Sequence, residues 1–220
     1  MFIGHHAVGF ASKRFAPRTS LGLLMAAPLL LDLLWPIFLL LGMEHARIER
    51  DNPPFLRIDL YDYPWSHSLL MTVVWSVLFG GGYWLATKYR PGGIVIGLGV
   101  FSHWVLDFIV HRPDLPLYPG GPKVGLGLWS STRGTIAMES ALFLAGLGIY
   151  VNATRARDRT GIIAFWTFVA LILFFYVSSI FGPPPPDWKA VAWVGTASWL
   201  LILWVHWFDR HRGPRRVASA

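Results

Sequence analysis

The stretch Ser102-His103-Trp104-Val105-Leu106-Asp107 lies inside an apolar run that extends from Ile94 to Val110. A histidine and a carboxylate that are four residues apart lie on the same face of a helix. The run is long and apolar enough for a membrane-spanning helix, and an ionisable group inside such a helix is energetically costly. The pair therefore predicts a functional site within the membrane.

The composition of the whole chain indicates a protein built from membrane-spanning helices. Of its 220 residues, 54% are hydrophobic and 14% are charged, and 12 are tryptophan. Repeated apolar runs at this frequency are typical of polytopic membrane proteins. The chain has no cysteine, which excludes disulfides and thiolate metal ligands. We predict an all-α fold that forms a single integral membrane domain over residues 1–220.

The apolar runs predict about six transmembrane helices joined by polar or Pro/Gly-rich loops. A short N-terminal segment is apolar and then basic, which is the reverse of the order in a signal peptide. We expect this segment to form a short helix that is half-inserted in the membrane or lies at its interface. The predicted spans are about 20–43, 67–88, 94–110, 135–151, 161–181 and 188–208.

The distribution of basic residues predicts the orientation of the chain. The formal net charge is +7, but the basic residues lie at the ends of the predicted spans, as the positive-inside rule expects, which argues against nucleic acid as a partner. If the N-terminus is inside, 12 basic residues lie in inner segments and 7 in outer loops. We therefore predict that both termini are cytoplasmic and that the lipid bilayer is the main partner.

Counting along the spans predicts further polar residues at the depth of His103 and Asp107. A helix rises about 1.5 Å per residue, so Asp32 and Glu139 come to about the same height as this pair, in the outer half of the membrane. Such groups are expensive at this depth unless they are paired or neutralised. The four side chains are thus expected to share one site.

Three histidines are further candidates for the same site. His67 and His111 are predicted slightly closer to the outer surface. His5 reaches this depth only if residues 1–12 enter the membrane as a half-helix, and non-helical turns at that depth must be buried in protein or line a cavity.

The mixture of imidazole and carboxylate groups predicts a metal site. These donors suit zinc, iron or manganese better than calcium or magnesium, and a cation would offset the cost of the buried carboxylates. The predicted ligands are His5, Asp32, His67, His103 and Asp107. Glu139 and His111 are predicted to act as general base or as partners of the ligands.

Simpler interpretations of the same residues stay open. His103 and Asp107 can form an ordinary hydrogen-bonded pair, and Asp32 can bond a neighbouring helix. Glu139 can interact with the dipole of its own helix, and His111 can be an interface residue.

The Pro/Gly-rich segment 111–133 is a candidate lid over the site.

Four sequence elements follow one another in a pattern known from one family. They are Gly4-His5, Leu30-Leu31-Asp32, Ser66-His67-Ser68-Leu69-Leu70 and Ser102-His103-x-x-x-Asp107. They resemble the early His, Pro-Asp-x-Asp, His-Arg-Gly-x-Thr-His-Ser and Ser-His-x-x-x-Asp elements of the bacterial inner-membrane metal-dependent hydrolase family. The resemblance covers about residues 1–120 and implies an inner-membrane location, a membrane-embedded metal site and hydrolytic activity. The last element is also similar to one in zinc-dependent phospholipases C, which implies phosphoester chemistry by analogy.

The chain departs from the family pattern at two positions. Leu34 stands where the family has a second aspartate, and Asp62 stands where it has the first histidine of His-Arg-Gly. Either a ligand is lost or Asp62 supplies an oxygen donor in its place. We therefore expect one metal ion, zinc, rather than two.

Three functional hypotheses follow from these observations. The first is a metal-dependent hydrolase that acts on a lipid or lipid-linked phosphoester, because such a site is reached most easily from the bilayer. The second is a small ion or metal transporter that uses the same cluster, with a broken helix at Gly80-Gly81-Gly82. The third is a non-catalytic scaffold in which the cluster only holds helices together.

Overall fold

The chain folds into a bundle of helices with short strands in the connecting loops. The computed structural model describes residues 1–215, so Arg216, one of the basic residues used to predict orientation, lies outside the described residues. Within this range there are eight α-helices, which are α1 (Ile3–Phe15), α2 (Leu21–Leu40), α3 (Pro64–His67), α4 (Leu69–Thr87), α5 (Arg90–Val110), α6 (Thr132–Ala153), α7 (Arg159–Phe181) and α8 (Trp188–Asp209). Six of these described helices, α2 and α4 to α8, are long and apolar enough to cross a membrane. The predicted polytopic all-α fold is confirmed.

The local sequence determines where the long helices begin. Five of them start after a serine or aspartate whose side chain accepts a hydrogen bond from a backbone N–H of the first turn. This bond satisfies a donor that has no partner inside the helix. The capping residues are Ser20, Ser68, Ser131, Asp158 and Asp187.

Short strands occur in loops for which the sequence predicted only irregular structure. They are β1 (His45–Ile48), β2 (Ile58–Asp62), β3 (Leu115–Pro116), β4 (Lys123–Val124), β5 (Thr154–Ala156) and β6 (Arg212–Pro214). They pair as β1–β2, β3–β4 and β5–β6, all antiparallel. Strands of two to five residues are too short for a hydrophobic alternation to reveal them.

Helix α1 lies inside the bundle, where it packs against α2, α5 and α6. The contact with α6 is close because Gly146 has no side chain, and a Cβ there would collide with the backbone of Ala7. At the other end of α1, Lys13 donates hydrogen bonds of 2.8 Å to Asp209 and to the carbonyl of Thr19. The predicted short N-terminal helix therefore forms within the helical bundle, and its depth in the membrane stays a prediction.

Two details of α4 differ from the prediction. The helix continues through Gly80, Gly81 and Gly82, so the broken helix invoked for a transporter does not form. Gly80 instead allows close packing against α5. The break lies at Ser68, whose backbone is extended, so that His67 ends the separate helix α3 rather than beginning the long span.

Candidate functional site

Helix α5 carries three buried polar residues on one face. His103 and Asp107 are 0% and 1% exposed, and His103 Nε2 lies 3.1 Å from Asp107 Oδ2. One turn further on, His111 Nε2 lies 3.5 Å from the same oxygen. The spacing of four residues thus forms the predicted pair and adds His111 to it.

Helix α1 brings His5 to the other side of Asp107. His5 Nε2 lies 3.1 Å from Asp107 Oδ1, and its ring stacks on that of His103 with 3.8 Å between the ring centroids. The amine nitrogen of Met1 lies 2.5 Å from the same oxygen. Both carboxylate oxygens of Asp107 therefore contact nitrogen atoms of other residues.

Asp32 from α2 and His67 from α3 complete the cluster. His67 Nε2 lies 3.3 Å from His103 Nε2, 3.5 Å from Asp32 Oδ1 and 3.9 Å from Asp107 Oδ2. Asp32 Oδ1 is 3.8 Å from His103 Nε2. The side chain of Asp32 is 41% exposed whereas the others are buried, so the cluster opens at Asp32.

The structure thus brings together all five predicted metal ligands. Two overlapping sets have ligand atoms close enough to hold one ion, within 4.8 Å of one another. They are His5, His103 and Asp107, and Asp32, His67 and His103. The binding of an ion by these residues stays a prediction.

Glu139 caps helix α1. Its Oε2 accepts hydrogen bonds from the backbone N–H groups of Phe2, Ile3 and Gly4, at 2.9, 2.8 and 3.3 Å. The N-cap residue, Phe2, has no acceptor in its side chain, so a carboxylate from α6 supplies one at the positive end of the helix. In the part of the chain that the structure describes, the buried Oε1 of Glu139 has no hydrogen-bond partner. Its dipole interaction is thus with α1 rather than with its own helix.

Two histidines are fixed in one tautomer by partners that can only accept. His103 Nδ1 lies 2.7 Å from the carbonyl oxygen of Pro28, and His111 Nδ1 lies 2.9 Å from Asp114 Oδ1. Because a carbonyl and a carboxylate donate no proton, each Nδ1 carries the hydrogen. In the neutral rings, each Nε2 then directs a lone pair towards Asp107 and the cluster.

The Nδ1 atom of His67 contacts a hydroxyl, that of Ser66, which in turn bonds to Glu44. His67 Nδ1 lies 2.6 Å from Ser66 Oγ, and Ser66 Oγ lies 2.7 Å from Glu44 Oε2. Glu44 Oε1 accepts from the N–H groups of Trp65 and Ser66 at 2.8 and 2.7 Å. Burial raises the pKa of Glu44 to about 7, while these hydrogen bonds act to lower it. No pattern in the sequence assigns Glu44 a role, because this residue lies in a loop 22 residues before Ser66.

The segment 111–133 folds back over His111. The ring centroid of Trp129 lies 4.2 Å from that of His111, and the N–H of Gly127 donates to the His111 carbonyl at 2.6 Å. Gly127 has a positive φ of 76°, which glycine adopts without strain. The role of this segment as a lid stays a prediction.

Asp114 belongs to a polar network that the sequence pattern does not predict. It accepts hydrogen bonds from the Tyr63 hydroxyl at 3.1 Å and from Arg112 Nε at 3.0 Å, and Arg112 also contacts Asp59. Burial acts to raise the pKa of Asp114, but the bonds from His111, Arg112 and Tyr63 hold this pKa below its usual value.

The two departures from the family pattern lie away from the cluster's ligand atoms. Asp62 pairs with His45 at 3.1 Å on the hairpin of β1 and β2, and both side chains are about half exposed. Leu34 packs against an apolar cluster formed by α2 and α5. The idea that Asp62 replaces a missing ligand is therefore wrong for this structure.

Comparison with protein families identifies a family to which more than half of the chain is similar. Residues 64–183 match the model of the YdjM inner membrane protein family, which is 120 of the 220 residues. The chain belongs to this family. The match extends from α3 to the end of α7 and includes His67, His103 and Asp107, but His5 and Asp32 lie before it.

Membership in the YdjM family supports a multi-pass protein of the bacterial inner membrane. The family match does not by itself show the hydrolase activity that the sequence resemblance implies. The search of curated proteins and the search of solved structures found no match.

Proposed function

We propose that the chain is a membrane-embedded metal-dependent hydrolase that holds one transition-metal ion, zinc by its donor set. One observation carries this proposal. His67 Nε2 and His103 Nε2 lie 3.3 Å apart, and in neutral rings that carry their proton on Nδ1 each Nε2 has a lone pair. Two lone pairs that face each other at this distance repel, and a cation between them removes the repulsion.

The spacing of the donor atoms also fits a single ion. Donors bound to one zinc at about 2.0–2.1 Å lie about 3.3 Å from one another. The five distances that involve the nitrogens of His67 and His103, with each other, with Asp32 and with Asp107, range from 3.1 to 3.9 Å. These four residues are the proposed ligands, and His5 adds a contact to the second oxygen of Asp107.

The residues around the cluster supply the remaining parts of a hydrolytic site. A bound ion of this kind lowers the pKa of a water molecule and polarises a phosphoryl or carbonyl oxygen. His111 has the arrangement of a general base, because Nδ1 donates to Asp114 while Nε2 faces the cluster. Glu139 holds α1, and with it His5, against the site.

The surroundings of the site support a lipid or lipid-linked phosphoester as the substrate. The cluster lies among the long apolar helices and opens at Asp32, whose side chain is 41% exposed. A substrate that is already in the bilayer reaches such an opening without leaving the membrane.

Metal analysis of the protein purified in detergent tests the proposal. We expect about one equivalent of bound transition metal, its loss in His103→Ala, and its retention in His45→Ala, which removes a histidine from the hairpin of β1 and β2. Metal-dependent release of phosphate from lipid phosphoesters should be lost in the same variant. Less than about half an equivalent in the wild type, or no effect of His103→Ala, would contradict the proposal. Uptake of metal into liposomes without hydrolysis would favour a transporter instead.

A further inference from the structure

Glu44 is a buried residue in the loop between α2 and α3, and the two oxygens of its carboxylate have different partners. It is 1% exposed, and Oε1 accepts the backbone N–H groups of Trp65 and Ser66 at the start of α3. These two bonds fix the orientation of the carboxylate. Oε2 is then directed at Ser66 Oγ, at 2.7 Å.

The bond from the Ser66 hydroxyl to Glu44 determines which way the hydrogen bond between Ser66 and His67 runs. A hydroxyl has a single proton, and the carboxylate of Glu44 can only accept it. Ser66 Oγ therefore accepts from His67 Nδ1, 2.6 Å away. The proton of a neutral His67 ring is then on Nδ1, and Nε2 presents its lone pair to His103 Nε2 and Asp32.

His67 differs in this respect from the other two histidines whose Nδ1 partners are described above. His103 and His111 bond directly to a carbonyl and a carboxylate, which can only accept. The partner of His67 is a hydroxyl, which can either accept from Nδ1 or donate to it. A second group must therefore determine the direction of the bond.

We propose that Glu44 and Ser66 are positioning residues that hold His67 in the Nδ1–H tautomer and so make its Nε2 available to a metal ion. The proposal rests on the proposed metal site and assigns roles to two residues outside it. Partners of ligating histidines that fix ring and tautomer in this way typically change metal affinity by about 10–100-fold.

Glu44→Gln separates this role from simple capping of α3. Gln keeps an oxygen for the N–H groups of Trp65 and Ser66, and its NH2 group takes the place of Oε2. That group donates to Ser66 Oγ, so the Ser66 proton turns to His67 Nδ1 and the ring proton moves to Nε2. A flipped amide would place NH2 against two N–H donors and lose both bonds, which disfavours it.

The experiment measures the Co²⁺ and Zn²⁺ affinity of the full chain in detergent at pH 8.5, above the pKa of Glu44. We expect Glu44→Gln to raise Kd by about 10–100-fold while the thermal unfolding curve stays close to that of the wild type. Ser66→Ala, which removes the hydroxyl, should cause a similar loss. The control is Glu49→Gln, which makes the same charge change at a half-exposed residue of the same loop.

A second readout needs no metal. In the metal-free protein labelled with ¹⁵N-histidine, and with the His67 signals assigned through His67→Ala, we expect the proton on Nδ1 in the wild type and on Nε2 in Glu44→Gln. An unchanged tautomer, or unchanged affinity with an intact fold, would overturn the proposal. If the wild type binds neither ion, the proposed metal site fails, while the tautomer measurement still decides whether Glu44 controls His67.

Discussion

Asp107 is the residue on which the cluster converges. Its Oδ1 faces His5 and the amine of Met1, and its Oδ2 faces His103 and His111. The carboxylate is 1% exposed, so its charge is compensated only by the groups around it. Any function of the cluster that depends on charge should therefore depend on this residue.

Asp107→Asn keeps the shape of the side chain and removes its charge. We expect the affinity for Zn²⁺ to fall by more than the roughly 10–100-fold that loss of an outer partner causes, because a ligand oxygen is replaced by an amide. Chelator competition on purified protein measures this. Asp62→Asn is the control, since Asp62 pairs with His45 at the surface. Equal affinities in the two variants would contradict the role of Asp107.

At the scale of single residues, the sequence predicted the composition of the cluster but not its supports. Asp32, His67, His103 and Asp107 were found because spans of known rise place them at similar depth. Glu44 was missed because its position depends on how a loop folds back, which hydropathy and helical periodicity do not describe.

Among the helices, α1 is the element on which the position of His5 depends. It is held by Glu139 at one end, by Lys13 and Asp209 at the other, and by the close contact of Ala7 with Gly146 in between. None of these residues is among the proposed metal ligands. The helix can therefore be displaced without a change in the ligand set.

Gly146→Val tests this dependence. The new side chain collides with the backbone of Ala7, so we expect a loss of about 1–3 kcal/mol in stability and weaker metal binding. Gly148→Val is the matched control on the same helix, because a Cβ at Gly148 meets no atom of the described residues within 4 Å. Thermal unfolding and Zn²⁺ titration of both variants provide the measurement. Similar behaviour of the two would show that the α1–α6 contact is not required.

Over the whole molecule, the hydropathy pattern was sufficient for the arrangement of spans. The six described apolar helices correspond to the six predicted runs, since each long apolar segment has to satisfy its backbone within itself in a membrane. The strands and the helix α3 were not predicted, because they depend on contacts between loops. Neither the family match nor the structure determines which end of the bundle faces the cytoplasm.

The positive-inside count makes that orientation testable. We expect a fluorescent protein fused after residue 220 to fluoresce and alkaline phosphatase at the same position to be inactive, because 12 of the 19 basic residues lie on the predicted inner side. The reverse pattern, with active phosphatase, would place the C-terminus in the periplasm and the candidate site in the inner half.

The position of α1 inside the helical bundle has a consequence for the order of assembly. Glu139, which holds the N terminus of α1, is separated from Ile3 by 136 residues. Helix α1 precedes α5 and α6 in the chain, and it is therefore synthesised before the residues of those helices that contact its N-terminal end. During synthesis, this end of α1 therefore lacks its contacts with Glu139 until α6 has been made, so His5 can take its final place in the cluster only after that point.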